Sequence, residues 1–328
     1  MGIPMSLQNF SYHDTIGIAS FLGRGFMNPI DLRFDSTGRL FVLSRSNASN
    51  KNVRVSAQTL DSEFLYEFAN WGTGPGQTIM PTALAFDSRD RLYVSDEHMN
   101  NISVFDREGN FIERWGEFGS EPGQFNRPSG LAVDSDDNVL VMDHLNSRIQ
   151  KMTPDGRYIS SFGSDGGGPG EFNFAWGISV DSAGDIWVAD WRNDRIQRFT
   201  ADGEFVSMFG SSGTTDGKFD RPSGVHVDHQ GQVYVADWRN DRVQVFDNSG
   251  AHSETLFGDA TLSKWCQEFI AVNPEQAGWR ENAGLFEEEK RFWRPSAIET
   301  NSDGLVLIAD ACRHRVQIYS KINEPALA

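Results

Sequence analysis

The sequence DWRNDRIQRF at residues 190–199 returns 47 positions later as DWRNDRVQVF at residues 237–246. Two nearly identical phrases at a fixed spacing of this size are typical of a repeat protein, in which each repeat is one small structural unit. Looser copies occur as DHLNSRIQKM at residues 143–152 and DACRHRVQIY at residues 310–319. The repeat therefore extends beyond its two best copies.

A second phrase marks the start of each unit: a proline, a small residue, and then alternating apolar residues ending in an acidic residue. Its six copies begin at Pro29, Pro81, Pro128, Ala175, Pro222 and Pro295. The successive offsets are 52, 47, 47, 47 and 73 residues, so one unit is 47 residues long and two copies carry insertions.

Each unit contains four short segments of alternating apolar residues, separated by Asp, Asn, Gly and Pro. This pattern predicts four β-strands per unit. Six such units predict an all-β fold, a six-bladed β-propeller forming one domain over residues 1–328. The last unit has only three segments, and we expect a strand around residues 16–22 to complete the sixth blade and cover its unpaired edge.

The insertion before the last blade, residues 259–293, has a helical pattern. Its apolar residues recur at the spacing of one helix face: Leu262, Trp265, Cys266, Phe269 and Ile270. Because the segment joins a fourth strand to a first strand, we expect it at the same end of the propeller as the candidate site below. The sequence leaves open whether it is a lid over that site or an interface, including a contact between copies of the chain.

The DxxNxR phrases, together with Gly-x-Phe before each Pro-Ser-Gly, resemble NHL repeats. The resemblance covers nearly the whole chain and implies a six-bladed propeller. It implies much less about function, because NHL-like propellers include protein-binding and RNA-binding modules as well as lyases and hydrolases.

Among these enzymes the chain is similar in outline to the peptidyl-hydroxyglycine amidating lyase, a zinc protein. The resemblance would place the zinc-binding histidines just before the glycine of the first-strand phrase. The corresponding residues here are not histidines: Ser129, Trp176, Ser223 and Ser296. The sequence therefore does not predict the zinc site of that lyase.

The charge of the chain limits the kinds of molecule that it is expected to bind. The chain has 29 Lys and Arg against 46 Asp and Glu, a net charge of −17, which disfavours phosphate backbones and anionic membranes. We therefore expect neither nucleic acid nor a membrane as partner. Only two cysteines, no secretory leader and no long apolar run are present, so we expect a soluble, cytoplasmic protein.

Comparison of the six copies distinguishes residues that maintain the blade structure from residues that are candidates for a functional site. A residue that recurs in most blades serves the blade itself, and the clearest case is a turn aspartate, which we expect to accept backbone N–H groups. It is present in five blades as Asp96, Asp143, Asp190, Asp237 and Asp310. Residues that differ at equivalent places are free to serve a site.

These variable places share one end of the channel, which we call the mouth. It collects the starts of the first strands, the turns after the second strands and the loops after the fourth strands. Four residues there are candidates for catalysis: Asp31, Arg45, Glu97 and His144. Eight are candidates for ligand binding: His98, Ser129, Trp176, Trp191, Arg192, Ser223, Trp238 and Arg239.

The candidates predict a cup that is polar on one side and aromatic on the other, which suits an amphipathic small molecule or a peptide. Glu97 with His144 forms either an acid–base pair or, with His98, part of a divalent metal site. Simpler interpretations stay open, since Trp191 can pack against Trp238 and the histidines can be ordinary loop residues.

Two functions follow. The first is a small-molecule enzyme or binder, of the lyase or hydrolase type. The second is a non-catalytic scaffold for protein–protein interaction.

Overall fold

The computed structural model describes residues 9–45 and 51–322. Within them lie six four-stranded antiparallel sheets, arranged as the blades of a propeller, which confirms the predicted fold. In blades 1 to 5 the strands lie side by side in chain order. Blade 4 starts later than the repeat predicts, because Ala175, Trp176 and Gly177 replace Pro-Ser-Gly before its first strand.

The strand bounds are as follows. Blade 1 contains Pro29–Phe34, Leu40–Arg45, Val53–Gln58 and Phe64–Phe68. Blade 2 contains Pro81–Phe86, Leu92–Asp96, Asn101–Phe105 and Phe111–Trp115. Blade 3 contains Pro128–Val133, Val139–Asp143, Arg148–Met152 and Tyr158–Phe162. Blade 4 contains Ile178–Val180, Ile186–Asp190, Arg195–Phe199 and Phe205–Phe209. Blade 5 contains Pro222–Val227, Val233–Asp237, Arg242–Phe246 and His252–Leu256. Blade 6 contains Pro295–Thr300, Leu305–Asp310, Arg315–Lys321 and the N-terminal strand Phe10–Ile16. The loop after blade 3 adds a short parallel pair, Ser164–Asp165 with Glu171–Phe172.

The N-terminal strand closes blade 6 as predicted, but its predicted bounds were wrong. It runs from Phe10 to Ile16 and pairs with Arg315–Lys321, so it ends where it was expected to begin. Gly17 ends it with φ of +118°, where a Cβ atom would lie 2.7 Å from the ring of Phe26. The strand was placed too late in the sequence because its alternation is broken by polar residues and by a bulge near Tyr12.

The hydrophobic core lies between neighbouring blades rather than at one centre. The facing side chains of blades 1 and 2 illustrate the pattern, with Phe41 and Val55 packed against Leu84 and Val94. Equivalent clusters join the other blades.

The recurrent aspartates hold the turns at the mouth, as the sequence predicts. Asp237 accepts the N–H of Asp220 at 2.8 Å and side-chain bonds from Asn240, Arg242 and Gln244 at 2.7–3.1 Å. Arg242 in turn donates to carbonyls of the preceding loop, including that of Lys218. The same arrangement recurs around the aspartates of blades 3, 4 and 6.

A further link joins each blade to the next at the mouth. The residue before the first-strand phrase is left-handed in five blades, four times before a proline and in blade 4 before Ala175; this conformation is uncommon for residues other than glycine. Its N–H is held by a turn residue of the preceding blade in several cases: Asp194 holds Arg221 at 2.7 Å, and Asp241 holds Arg294 at 2.8 Å. These links set the backbone direction of the mouth residues.

The insertion forms three helices: α1 (Lys264–Val272), α2 (Pro274–Ala283) and α3 (Phe286–Lys290). Three-residue 3₁₀ turns follow the second strands of blades 3, 5 and 6 at His144–Asn146, Trp238–Asn240 and Ala311–Arg313. In the described ranges, no helix has the length and apolar character needed to cross a lipid bilayer.

The helical prediction for the insertion is correct, and its last helix meets the mouth turn of blade 6, where Arg313 donates to the carbonyl of Glu288 at 2.8 Å, but the insertion does not cover the mouth. Helix α1 packs on the outer side of the propeller, against the N-terminal strand of blade 6. Its Trp265 is 3% exposed and donates from Nε1 to the carbonyl of Ser62 at 2.7 Å. Ser62 lies in the turn after the third strand of blade 1, which is at the end of the propeller opposite the mouth. Trp265 therefore seals the junction of blades 6 and 1.

Candidate functional site

The mouth contains a cavity of about 370 Å³. It is formed by first-strand starts and by turns after second strands, as the repeat analysis predicts. Five predicted residues line it: Arg45, Trp176, Trp191, Ser223 and Trp238. Six further residues complete the wall: Asn28, Ile30, Arg294, Ser296, Ala311 and Cys312. No residue of the insertion, 259–293, belongs to this lining, so the helices leave the mouth cavity uncovered.

The aromatic wall combines indole rings with guanidinium groups. The rings of Trp191 and Trp238 are neighbours, with centroids 6.2 Å apart and planes tilted by 52°. Arg221 lies over the ring of Trp191 at 4.5 Å, and Arg294 lies over that of Trp238 at 4.1 Å. Each tryptophan therefore contacts the other and an arginine while still facing the cavity.

The arginines expected beside the tryptophans do not line the cavity. Arg192 stacks on Phe174 at 3.7 Å, whereas Arg239 points toward solvent, 44% exposed and 3.7 Å from Asp220. Arg221 and Arg294 take their place on the indoles. Both belong to the repeated Arg-Pro-Ser phrase and were not among the predicted site residues.

A usable signal for these two arginines was present in the sequence. The position before the proline varies more than the phrase around it, since the other blades carry Asn28, Met80, Arg127 and Phe174 there. The tryptophans were selected because they stand at mouth positions that differ between blades, and the position before the proline is variable in the same way.

The polar wall is built on an ion pair. Arg45 donates to Glu97 at 2.5 Å, and both side chains are largely buried. Glu97 and the exposed His98 line a second, smaller cavity of about 190 Å³ together with Phe118 and Arg127. The Arg45–Glu97 pair therefore stands between the two cavities.

His144 has a positioning contact rather than an acid–base partner. It is 6% exposed and its Nδ1 donates to the carbonyl of Ala175 at 2.9 Å. The ring meets those of Phe174 and Trp176 edge-on. Burial lowers the pKa of His144, opposed by the bond to Ala175 and by the charge of Glu97. In the described part of the chain no hydrogen bond joins His144 to Glu97, so the predicted pair is not assembled.

Two predicted residues lie below the mouth, in the central channel. Asp31 is 4% exposed and accepts bonds from the N–H groups of Leu32 and Leu84 and from Arg33. Ser129 is fully buried and its hydroxyl lies 3.3 Å from the carbonyl oxygen of Trp176. The channel at this level holds only about 30 Å³ of space, so Asp31 does not face the mouth cavity.

The residues do not fit a metal site. Over residues 9–45 and 51–322 no group of three or more His, Cys, Asp or Glu side chains is placed to hold a metal ion. Glu97 is bound by Arg45, while His98 is exposed. Divalent metals require several ligands converging on one point, and these three residues do not provide them.

Comparison with protein families agrees with the fold. The NHL repeat model matches residues 172–199, 219–246 and 292–319, and a model described as a 6-bladed beta-propeller matches residues 82–151. The human NHL repeat-containing protein 3 is 34% identical over 83 residues, which are 25% of this chain and 23% of that protein. The match thus spans less than a quarter of the length of this relative.

Solved structures show the same architecture at low identity. A gluconolactonase from Xanthomonas campestris matches with a TM-score of 0.62 and 13% identity, over 92% of this chain and 90% of that one. A catalytically inactive histidine-to-alanine variant of virginiamycin B lyase from Staphylococcus aureus, with quinupristin, matches with a TM-score of 0.58 and 13% identity, over 95% and 100%. Similarity at this level shows the fold alone.

Six four-stranded blades, three matched NHL repeats and the matched propeller segment together show that the chain is a six-bladed β-propeller containing NHL repeats.

Proposed function

We propose that this propeller binds a small organic molecule in the mouth cavity. One observation carries the proposal: a space of about 370 Å³ is lined by three indole rings and two guanidinium groups. Pockets for small molecules commonly enclose about 300–1,000 Å³ and combine apolar walls with a few polar groups. The cavity has that size and composition.

Turnover of the bound molecule, in the manner of a lyase or hydrolase, is the stronger form of the proposal. The lyase and the lactonase among the similar structures motivate it. In this chain Glu97 and Arg45 are the groups we assign to such chemistry, because both line the mouth cavities. His144 holds the segment that carries Trp176, so we assign it a positioning role. The proposed chemistry uses these side chains and involves no metal ion.

The test is a small-molecule screen followed by the intrinsic tryptophan fluorescence of the protein. A ligand of the mouth should change this fluorescence, and Trp191→Leu or Trp238→Leu should weaken its binding at least tenfold. Trp279→Leu is the matched control, because Trp279 is 63% exposed on the insertion and far from the cavity lining. Binding that survives both cavity substitutions contradicts the proposed site.

The catalytic form needs a separate measurement. A bound molecule is incubated with micromolar protein and the products are followed by mass spectrometry. Loss of turnover in Glu97→Gln with binding retained supports the assignment. A ligand recovered unchanged from the unaltered protein contradicts catalysis and leaves binding.

A protein–protein scaffold is the second candidate, favoured by the exposed apolar side chains of the insertion. Phe269 is 46% exposed, Trp279 63% and Leu285 55%, and all three line one cavity between the helices. Exposed apolar groups that lie together are typical of contact surfaces. If copies of the chain associate through them, sedimentation velocity will detect a concentration-dependent dimer. Trp279→Glu should abolish it, and a monomer at every concentration contradicts this form of the proposal.

A further inference from the structure

Four arginines at the mouth have no partner for their charge. Within the described ranges, the guanidinium groups of Arg127, Arg192, Arg221 and Arg294 make neither an ion pair nor a side-chain hydrogen bond. The arginines that start the third strands behave differently. Arg242, for example, donates to the carboxylate of Asp237 and to two backbone carbonyls. In a chain with a net charge of −17, four arginines without an ion pair thus lie together at one end of the channel.

Carboxylates lie close to two of these arginines but are used otherwise. Asp194 accepts the backbone N–H of Arg221, and Asp241 accepts that of Arg294. The carboxylates therefore fix the left-handed backbone and leave the guanidinium groups on the indoles. A stacked guanidinium keeps its N–H edge free for an acceptor in its own plane.

Arg294 gives the sharpest indication of what that acceptor is. It lines the mouth cavity, and its Nη1 is shielded from water without any hydrogen-bond partner in the described chain. A buried donor without an acceptor is unfavourable. A neutral apolar ligand would leave it so, and a cation such as an ammonium group offers it no acceptor.

We propose that the ligand is a small organic oxyanion, a carboxylate or related group carried on a flat ring system. The inference rests on the function proposed above and names its ligand class. The anionic group meets the edge of Arg294, and the flat ring lies among the indoles of Trp176, Trp191 and Trp238. Arg221 and Arg127 add positive potential around the opening.

The protein carries its own reporter for this site. Cys312 lines the mouth cavity and also reaches the cavity between the insertion and blade 6, which is lined by Cys266, the other cysteine of the chain. In a Cys266→Ser background, Cys312 is treated with two aromatic disulfides. Dithiobis(nitrobenzoate) carries carboxylates, whereas dithiodipyridine is neutral; in each case the thiolate attacks one sulfur, a mixed disulfide forms and an aromatic thiolate leaves. The quantity measured is the ratio of the two rate constants.

The ratio isolates the charge preference of the cavity. Burial raises the pKa of the Cys312 thiol and the charge of Arg294 opposes this shift, but both effects act on both reagents and largely cancel in the ratio. We expect the folded protein to favour the carboxylate reagent about tenfold over the urea-unfolded chain, as a few nearby positive charges in a partly dry site would do. Arg294→Gln should reduce the preference about fivefold. Arg157→Gln should not, because Arg157 is exposed at the opposite end of blade 3 and paired with Asp155.

The outcomes separate this inference from the proposed function. A preference that falls in Arg294→Gln and persists in Arg157→Gln supports the oxyanion. If Cys312 reacts with both reagents at the ratio of the unfolded chain, the cavity admits aromatic molecules and the oxyanion inference is overturned. If neither reagent reaches Cys312 in the folded protein, the cavity is closed and both proposals fail.

Discussion

At the residue scale, arginines of one repeat have two different roles, decided by backbone conformation. Arg242 starts a strand, so its side chain runs along the turn aspartate and reaches the loop carbonyls. Arg221 and Arg294 precede a proline in the left-handed region, which turns their side chains toward the indole of the preceding blade. A sequence pattern shows which residue recurs, but side-chain direction depends on φ. For this reason the aspartates were predicted correctly and the cavity arginines were missed.

Asp237→Asn tests the role of the turn aspartate. Its carboxylate is fully buried and serves four donors, and the substitution leaves Arg242 without its charged partner. Breaking a buried pair in this way costs about 3–5 kcal/mol of unfolding free energy. Urea denaturation followed by circular dichroism measures the loss. Asp202→Asn, at an exposed turn, should leave the midpoint unchanged, and equal effects of both substitutions would contradict the role assigned to Asp237.

At the element scale, the insertion completes blade 1. The third strands of blades 2 to 5 end in apolar residues, Phe105, Met152, Phe199 and Phe246, whereas that of blade 1 ends in Gln58. Loop phenylalanines pack on these ends in blades 4 and 5. At blade 1 the loop residue Phe26 packs on Trp265 instead, with centroids 6.0 Å apart. The insertion thus supplies an aromatic group that the repeat lacks there.

Trp265→Ala should therefore destabilise the junction of blades 6 and 1. Removing a buried aromatic side chain from a core costs about 3–5 kcal/mol, and the carbonyl of Ser62 also loses its donor. The measurement is urea unfolding by circular dichroism. Trp279→Ala removes the same side chain from an exposed place on α2 and should change the unfolding free energy little. A Trp265→Ala protein as stable as this control would show that the insertion is not part of the core.

The elements themselves were the most predictable part of the molecule. Alternating apolar residues and turn residues indicated all six blades, because in five of them the strands pair in chain order and only blade 6 also takes the N-terminal strand. The amphipathic stripe indicated helix α1, but a stripe does not reveal which surface it will cover. Blade 1 lacks an apolar residue at the end of its third strand, where Gln58 stands, and this difference is visible only when the third strands are aligned with one another. The same limit applies to the site: Trp191 and Trp238 were placed correctly at the mouth, whereas the depth of Asp31 depends on how tightly the channel packs.

At the scale of the whole molecule, the channel is closed below the mouth by a buried charged cluster. Arg33 bonds to Asp31 at 2.8 Å and lies 3.5 Å from Glu299 of blade 6, while Asp31 also accepts the N–H of Leu84 of blade 2. Blades 6, 1 and 2 are thereby joined across the ring closure. The mouth cavity is a blind pocket, because only about 30 Å³ of space lies beneath it.

The cluster predicts a pH dependence of stability. One guanidinium faces two carboxyl groups, and burial raises the pKa of Glu299 from 4.5 to about 7. The folded protein keeps a proton there that the unfolded chain releases above pH 4.5. The stabilising contribution of this group is therefore complete below pH 4.5 and is lost as the pH rises through about 7. The total loss amounts to roughly 3 kcal/mol.

Glu299→Gln should remove the loss of stability with rising pH that Glu299 causes. The unfolding free energy of the unaltered protein should therefore fall relative to that of Glu299→Gln between pH 5 and 8. His226 acts in the opposite direction, since burial lowers its pKa from 6.5 to about 3, and it is present in both proteins. Glu204→Gln, at an exposed position, controls for the loss of one surface carboxylate. A difference that stays constant with pH would contradict the protonation of Glu299.

Because the N-terminal strand pairs with Arg315–Lys321, the two ends of the fold lie side by side and the chain can be made to begin in a different blade. Asn9 and Ile322 meet at the same edge, where the N–H of Ile322 donates to the carbonyl of Asn9 at 2.8 Å. A short peptide can therefore splice these two points, and the backbone can be cut in an exposed turn of another blade, such as the one at Gly203. Such a circular permutant keeps every strand beside its present neighbours. Its new ends would lie in blade 4, away from the mouth.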